Sequence, residues 1–455
     1  MAQGSTYKIV AFTDQSAPGG DSFYHFSPPS IGADGTIAFV GVDDRSEGSI
    51  SGVYAGVSGK LRRVMSLTDA VPGEPSAVFE DFGPISVSGD GSVGFNAGVT
   101  IDQGYVRGIW FETDGGASGA AGKPADFSLA VLGDVAYRSG AVFAKGRILP
   151  ILHGGLTSEV PIGALLRTVA GVFTAPLTDG LALDDLYIQS IYEDPNAYPQ
   201  YASSASVGTS MDVNETGKVA LKIAVKPSPS PTPPNEAIYA GDPSAPKLIA
   251  KEGNPAPGLA SAYLSHLSAR PSIAADGQVA FSASLSGTPA SAIFSGEPGA
   301  ISPNALEGDL VPTTTDIHFG TLSDAVVNST GDVIFRAQIL YPNEGTRDGI
   351  WIQRRTGPPV LLAISGMTLP TPTGDREVEG VDFAGPGTFN DLHEFVFLAK
   401  FQNGDEGVYV ADTRPGAPEV FVTRPRKPRD FLSTEDSVSV FGVATDDTGI
   451  EKVEY

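Results

Sequence analysis

Short runs in which apolar residues alternate with small or polar ones recur along the chain, paired around turns of Asp-Gly or Asn-x-x-Gly type. SIGADGTIAF at 30–39 and SIAADGQVAF at 272–281 agree at seven of ten positions. Weaker copies are SVSGDGSVGF at 86–95, MDVNETGKVAL at 211–221, VVNSTGDVIF at 326–335 and TFNDLHEFVF at 388–397, with a degraded one, AVFAKGRILPI, at 141–151. Asp, Asn and Gly tolerate positive φ, and period-two alternation on both sides predicts two antiparallel strands, so each copy reads as a hairpin.

A third run follows each hairpin: GVYAG at 52–56, GIWF at 108–111, GVFTA at 171–175, AIYAG at 237–241, AIFSG at 292–296, GIWIQ at 349–353 and GVYVA at 407–411. A fourth run ending in a Pro/Gly turn comes next, clearest at 61–73, 247–258 and 360–374, weaker near 127–134, 186–193 and 299–307. Anchored on Gly35, Gly91, Gly146, Gly217, Gly277, Gly331 and His393, the units lie from 54 (331 − 277) to 71 (217 − 146) residues apart. Four strands in about sixty residues is the size of a propeller blade; solenoid coils are shorter. The last unit lacks a fourth strand, whereas the chain starts with an unattached one, YKIVAFTDQSAPGG at 7–20. The expectation is therefore an all-β, seven-bladed β-propeller of four-stranded blades over 7–412, closed by the N-terminal strand so that no sheet edge is left open.

The copies resemble the bacterial choice-of-anchor tandem repeat proteins that contain an NxxGxxAF motif. Asn214-Glu-Thr-Gly217, Asn328-Ser-Thr-Gly331, ADGTIAF and ADGQVAF carry the resemblance, which covers roughly 7–412 and is poorest in the third unit. It implies a secreted or cell-surface setting and no particular reaction. After a Pro/Arg-rich linker at 413–430, the segment 431–455 resembles the opening strands of a bacterial immunoglobulin-like domain, which points to a piece of a longer surface protein.

Charge and composition narrow the function. With 29 basic and 53 acidic side chains the net charge is −24, which disfavours nucleic acid and anionic membrane surfaces as partners. Cys is absent, which excludes disulfides, thiolate metal sites and a Cys nucleophile. No apolar stretch is long enough for a transmembrane helix, so membrane insertion is not expected. GALLRT at 163–168 is the one helix-like stretch, and it is short. HExxH, P-loop, GxSxG and EF-hand signatures are missing.

One stacked pattern offers chemistry. Before the innermost strand a polar residue precedes a large apolar one at His25-Phe26, Asp81-Phe82, His266-Leu267, His318-Phe319 and Asp382-Phe383. At a channel mouth such imidazoles and carboxylates suit Ca²⁺ or Zn²⁺ binding, or acid–base work on a sugar. The plainer reading is that the apolar partner wedges between blades and the polar one caps a turn. Asp43-Asp44, Asp184-Asp185 and Asp446-Asp447 read as exposed loop acids, Trp110 and Trp351 as core, and the Pro-rich 226–237 as a stiff surface loop. Three functions stand in order. The first is a non-enzymatic, monomeric interaction or display propeller with a protein or glycan partner on one face. The second is a carbohydrate- or calcium-dependent binding module, with Tyr198 and Tyr201 as exposed contacts. The third is a polysaccharide lyase or hydrolase using His25, His266 or His318.

Overall fold

In the computed structural model the chain is described from Tyr7 to Arg414, apart from 20–21, 45–49, 73–76, 119–126, 191–210, 228–234 and some shorter gaps. Between 113 and 210 only the strand backbones are described, as are the strands Glu419–Arg424 and Phe441–Thr445. The described residues are strands and connecting turns, so among them no helix is long and apolar enough to cross a membrane. GALLRT lies within the strand Ile162–Val169.

Six antiparallel sheets form propeller blades: blade 1 (22–66), blade 2 (78–118), blade 3 (182–251), blade 4 (263–306), blade 5 (318–364) and blade 6 (368–412). Blade 6 takes its outer strand from the other end of the chain, since Tyr7–Phe12 pairs with Glu406–Asp412 in a register running from Tyr7↔Ala411 to Phe12↔Gly407. The N-terminal closure read from the sequence is thus the arrangement found.

The count of seven is corrected to six. Around the channel each repeat turn touches the next. Asp34 abuts Gly91, and a Cβ on Gly89 would stand 2.8 Å from the Glu215 carboxylate. Lys218 lies by Gly277, Gln278 by Gly331 and Glu394 by Gly35. The ring closes where Ser329 donates its N–H and hydroxyl to Asp391 at 2.7 and 2.8 Å. Among the described residues the turn of blade 2 therefore meets the turn of blade 3 directly.

The residues expected to form the third unit instead make a separate four-stranded meander, Phe127–Arg138, Ala141–Leu152, Ile162–Val169 and Val172–Thr178, beside the strands of blade 2. Gly146, taken as a turn anchor, is in mid-strand opposite Leu132 and Ala164. The alternation of AVFAKGRILPI is that of one long strand with a tolerated Gly, not of two strands and a turn. The run near 127–134 opens this meander, and the run near 186–193 supplies the inner strand of blade 3, Leu186–Ser190. The proposed linker contains the strand Glu419–Arg424, which pairs with Phe441–Thr445.

Each blade is held by a cross-strand pair of large side chains at one repeat position. Phe39 faces Tyr54, Phe95 faces Trp110, Leu221 faces Tyr239, Phe281 faces Phe294, Phe335 faces Trp351 and Phe397 faces Tyr409. Four of these pairs stack at 5.4–6.3 Å with planes 20–24° apart. All twelve side chains are buried, at about 1.5–3 kcal/mol each. Both Trp residues are core, as their alternation indicated.

Candidate functional site

The channel has two ends. At the turn end stand the six repeat turns. At the open end lie the starts of the inner strands and the loops that lead into them.

Two chemistries clamp the turns. Where Asn occupies the first turn position, its Oδ1 accepts from the backbone N–H four residues on: Asn214 from Lys218 at 3.0 Å, Asn328 from Asp332 at 3.0 Å and Asn390 from Glu394 at 2.9 Å. Where that position is Gly32, Ser88 or Ala274, an Asp two residues later takes over, accepting the N–H of Thr36, Ser92 or Gln278 at 2.9–3.0 Å. Asn also reaches across blades. Asn214 Nδ2 donates to Ala274 O at 2.8 Å, and Asn390 Nδ2 to Gly32 O at 3.0 Å. Asn→Ala at 214 or 390 removes both the clamp and the bridge, whereas Asn328→Ala removes only a clamp. In urea melts we expect Asn390→Ala to cost about 2 kcal/mol and Asn328→Ala about half that. Asn214 and Asn328 are buried in these turns.

Of the five stacked polar residues, three share a level. His25 pairs with Val42, Asp81 with Gly98 and His266 with Ser284, each seven residues beyond its turn Gly, after a one-residue bulge. His318 does not join them. Blade 5 has the same single extra residue, between Phe319 and Leu322, and Thr321 stands at that level; His318 comes three residues earlier in the strand, nearer the open end and opposite Leu340. Asp382 lies on the other side of it, opposite Leu398, and Gly380 takes the place in blade 6. Among the described residues no three His, Asp or Glu side chains gather as a metal-ligand group.

Each candidate has its own partner. His25 Nδ1 donates to Glu406 Oε2 at 2.7 Å, and the N–H of Phe26 donates to the same oxygen at 3.2 Å. His266 Nδ1 and the N–H of Leu267 both donate to Glu236 Oε2 at 2.8 Å. In blade 5 the same N–H, from Leu322, goes to the Ser291 hydroxyl at 3.1 Å. Glu406, Glu236 and Ser291 belong to the third strand of the preceding blade, so the polar-apolar dipeptide is an inter-blade staple. Sequence reading missed these acceptors, although each stands directly before the GVY, AIY or AIF signature. His318 Nδ1 meets Gly308 O at 2.8 Å.

Burial raises the Glu406 pKa, but the hydrogen bond and charge of His25, the Phe26 N–H and the Lys400 ammonium outweigh it and hold the carboxyl below its usual range. Asp382 pairs with Arg336 of blade 5. Arg336 also approaches Asp324 at 3.7 Å, and Arg270 of blade 4 approaches Asp324 at 3.8 Å, so these charges form an ion network across three blades.

The open end is also where large apolar side chains are exposed: Tyr24, Val78, Tyr263, Leu310 and Leu340. Val78, Tyr263 and His318 occupy one register position, opposite Thr100, Ser286 and Leu340. Asp43, expected on a loop surface, is 3% exposed and accepts the Tyr54 hydroxyl at 2.8 Å. The side chains of Asp184, Asp185, Asp446, Asp447, Tyr198 and Tyr201 lie outside the described residues, as does most of the Pro-rich loop.

A six-bladed, all-β ring with stapled seams and an apolar, His-bearing rim is the class of protein these observations define. The chain belongs to the Family of unknown function (DUF7453), whose profile matches residues 1–119 and 167–418. The unmatched part covers most of the four-stranded meander. No curated protein matches the chain. Among solved structures it is similar to the acylaminoacyl peptidase of Pyrococcus horikoshii (8% identity, 88% of this chain and 52% of that one, TM-score 0.43). It is also similar to the polysaccharide lyase Uly1 (10%, 74% and 78%, TM-score 0.37) and to the Dos1 propeller (10%, 72% and 92%, TM-score 0.30). The chain spans about half the length of the peptidase. At these identities and TM-scores the likenesses say nothing of its chemistry.

Proposed function

We propose that the chain is a non-enzymatic interaction propeller, secreted or displayed at a cell surface, that engages a protein or glycan through its open end. The observation that carries this reading is the rim of exposed Tyr24, Val78, Tyr263, Leu310 and Leu340, in which Val78 and Tyr263 repeat at one register position of blades 2 and 4. Tyr is a favoured contact residue, with a large apolar body and a polar tip. The staples support the reading too, because they commit His25 and His266 to holding blades together. The resemblance to choice-of-anchor repeats and to an immunoglobulin-like start at 431–455 fits a surface setting.

The test is capture of partners by the immobilised chain from extracellular extract and on glycan arrays, with and without Ca²⁺. Tyr24→Ala/Tyr263→Ala is expected to lose the captured partner while melting as the parent does. Capture unchanged in the double variant, or turnover of any polymer by the purified chain, overturns the proposal.

One observation favours an enzymatic alternative. His25 is fixed through Nδ1 to a carboxylate while half exposed, the arrangement of an oriented general base. A screen of polysaccharides for lyase or hydrolase products, lost in His25→Ala, would establish it.

A further inference from the structure

At the turn end the channel opens into a cavity of about 80 Å³ lined by the turns of blades 1, 3, 4, 5 and 6. No Lys, Arg or His lines it. Its polar walls are Asp212, Glu215, Asp391, Ser272 and the three turn asparagines, and Ile31, Val213, Ile273 and Phe389 supply apolar surface.

Asn328 differs from its two counterparts. Its Oδ1 accepts from the Thr330 hydroxyl at 2.7 Å and the Asp332 N–H at 3.0 Å, which fixes the amide orientation and leaves Nδ2 as the free donor. The counterparts spend that donor on a carbonyl of the next blade. Asn328 is 2% exposed, lines the cavity, and its Nδ2 has no partner. A buried donor left unmet is unfavourable and calls for an acceptor.

We propose that this cavity binds a neutral polyhydroxylated ligand, a free sugar-sized polyol or the terminal residue of a glycan, with one oxygen accepting from Asn328 Nδ2. Three carboxylates on the wall repel an anion, and a hydrocarbon leaves the amide unmet. A hydroxyl oxygen accepts from Asn328 and can donate onward to Glu215, while Phe389 and Ile31 face the ligand's C–H surface. Asp391 already accepts from Ser329, and Asp212 from Ser272 at 3.1 Å and the N–H of Ile273 at 2.8 Å, so the wall is preorganised. At roughly 10–15 Å³ per water the cavity holds about five to eight waters, comparable to the oxygens of one hexose. This site lies at the other end of the channel from the rim and does not depend on the rim's role.

The full chain is titrated with myo-inositol, with methyl glucoside, galactoside and mannoside, with the matching disaccharides and with glucuronate, followed by saturation-transfer NMR. At least one neutral probe is expected to bind saturably, and glucuronate about tenfold more weakly or not at all. Preference for a disaccharide over its methyl glycoside identifies a chain end as the ligand; preference for the single ring or inositol identifies a free polyol. Asn328→Asp keeps the turn clamp but replaces the donor, and is expected to weaken binding about tenfold or more. Ala275→Leu fills the cavity and is expected to abolish it, with the fold checked by melting. No binding by any probe, equal binding of glucuronate, or full affinity in both variants overturns the proposal and leaves water as the occupant.

Discussion

Glu406→Ala is expected to lower stability by about 3–5 kcal/mol, measured by urea unfolding at neutral pH. The carboxylate is 7% exposed and serves His25, the Phe26 N–H and Lys400 at the seam between the last blade and the first. Its backbone is bound there as well, since Thr13 donates to Glu406 O at 3.0 Å and the Glu406 N–H donates to the Thr13 hydroxyl at 2.8 Å. Removing one member of a buried charged set leaves the others unmet, which is why the expected loss exceeds that of a surface ion pair. The effect has a pH signature. The folded pKa lies below the unfolded value of 4.5, so the unfolded state takes up the proton first as acid is added. The stabilisation is fully present above pH 4.5 and is lost as pH falls through the folded value. The gap between the parent and Glu406→Gln should therefore be constant near neutrality and narrow below pH 4.5. A gap that does not change with pH would show that the loss comes from packing alone.

Deleting residues 1–12 is expected to abolish the single cooperative melt. Val10, Ala11 and Phe12 are buried, and Phe12 packs against Phe401 at 5.5 Å. Their loss removes several kcal/mol of apolar burial and uncovers the strand Glu406–Asp412 along its whole edge. The truncated chain should elute as aggregates in size-exclusion chromatography, and a synthetic peptide of residues 7–19 added in trans should restore the monomer. A truncated chain that stays monomeric and melts normally would mean that blade 6 is stable with three strands.

The architecture was legible because it rests on local pattern. The Asp-Gly and Asn-x-x-Gly turns, the aromatic third strand and the spare N-terminal strand each leave a mark within about ten residues. The blade count was not, because AVFAKGRILPI has the composition of a hairpin but the pairing of a single strand, and pairing depends on what lies alongside. The candidate site was half legible for the same reason. His25 and His266 could be aligned by their apolar neighbours, but blade 5 offers two polar-apolar dipeptides, His318-Phe319 and Thr321-Leu322, and only the pairing with the next strand shows that Leu322, not Phe319, takes the place of Phe82. Glu406 lies 381 residues from His25 (406 − 25), so nothing local connects them. Asn328 is a fourth case. Its clamp is readable from the motif, whereas its idle donor appears only when the neighbouring blades are in place.

The strand Tyr7–Phe12 is also a matter of timing. It leaves the ribosome before the blades it closes, and the strand it pairs with is made about 400 residues later, a wait of some 20–80 s at about 5–20 residues per second. Throughout that interval an apolar hexapeptide has no partner of its own, while earlier blades are already able to form from local hairpins. Synthesis therefore runs ahead of completion, and the ring becomes a closed object only after nearly all of its sequence exists. Any export or chaperone step that acts on this chain meets an open arc with a loose first strand.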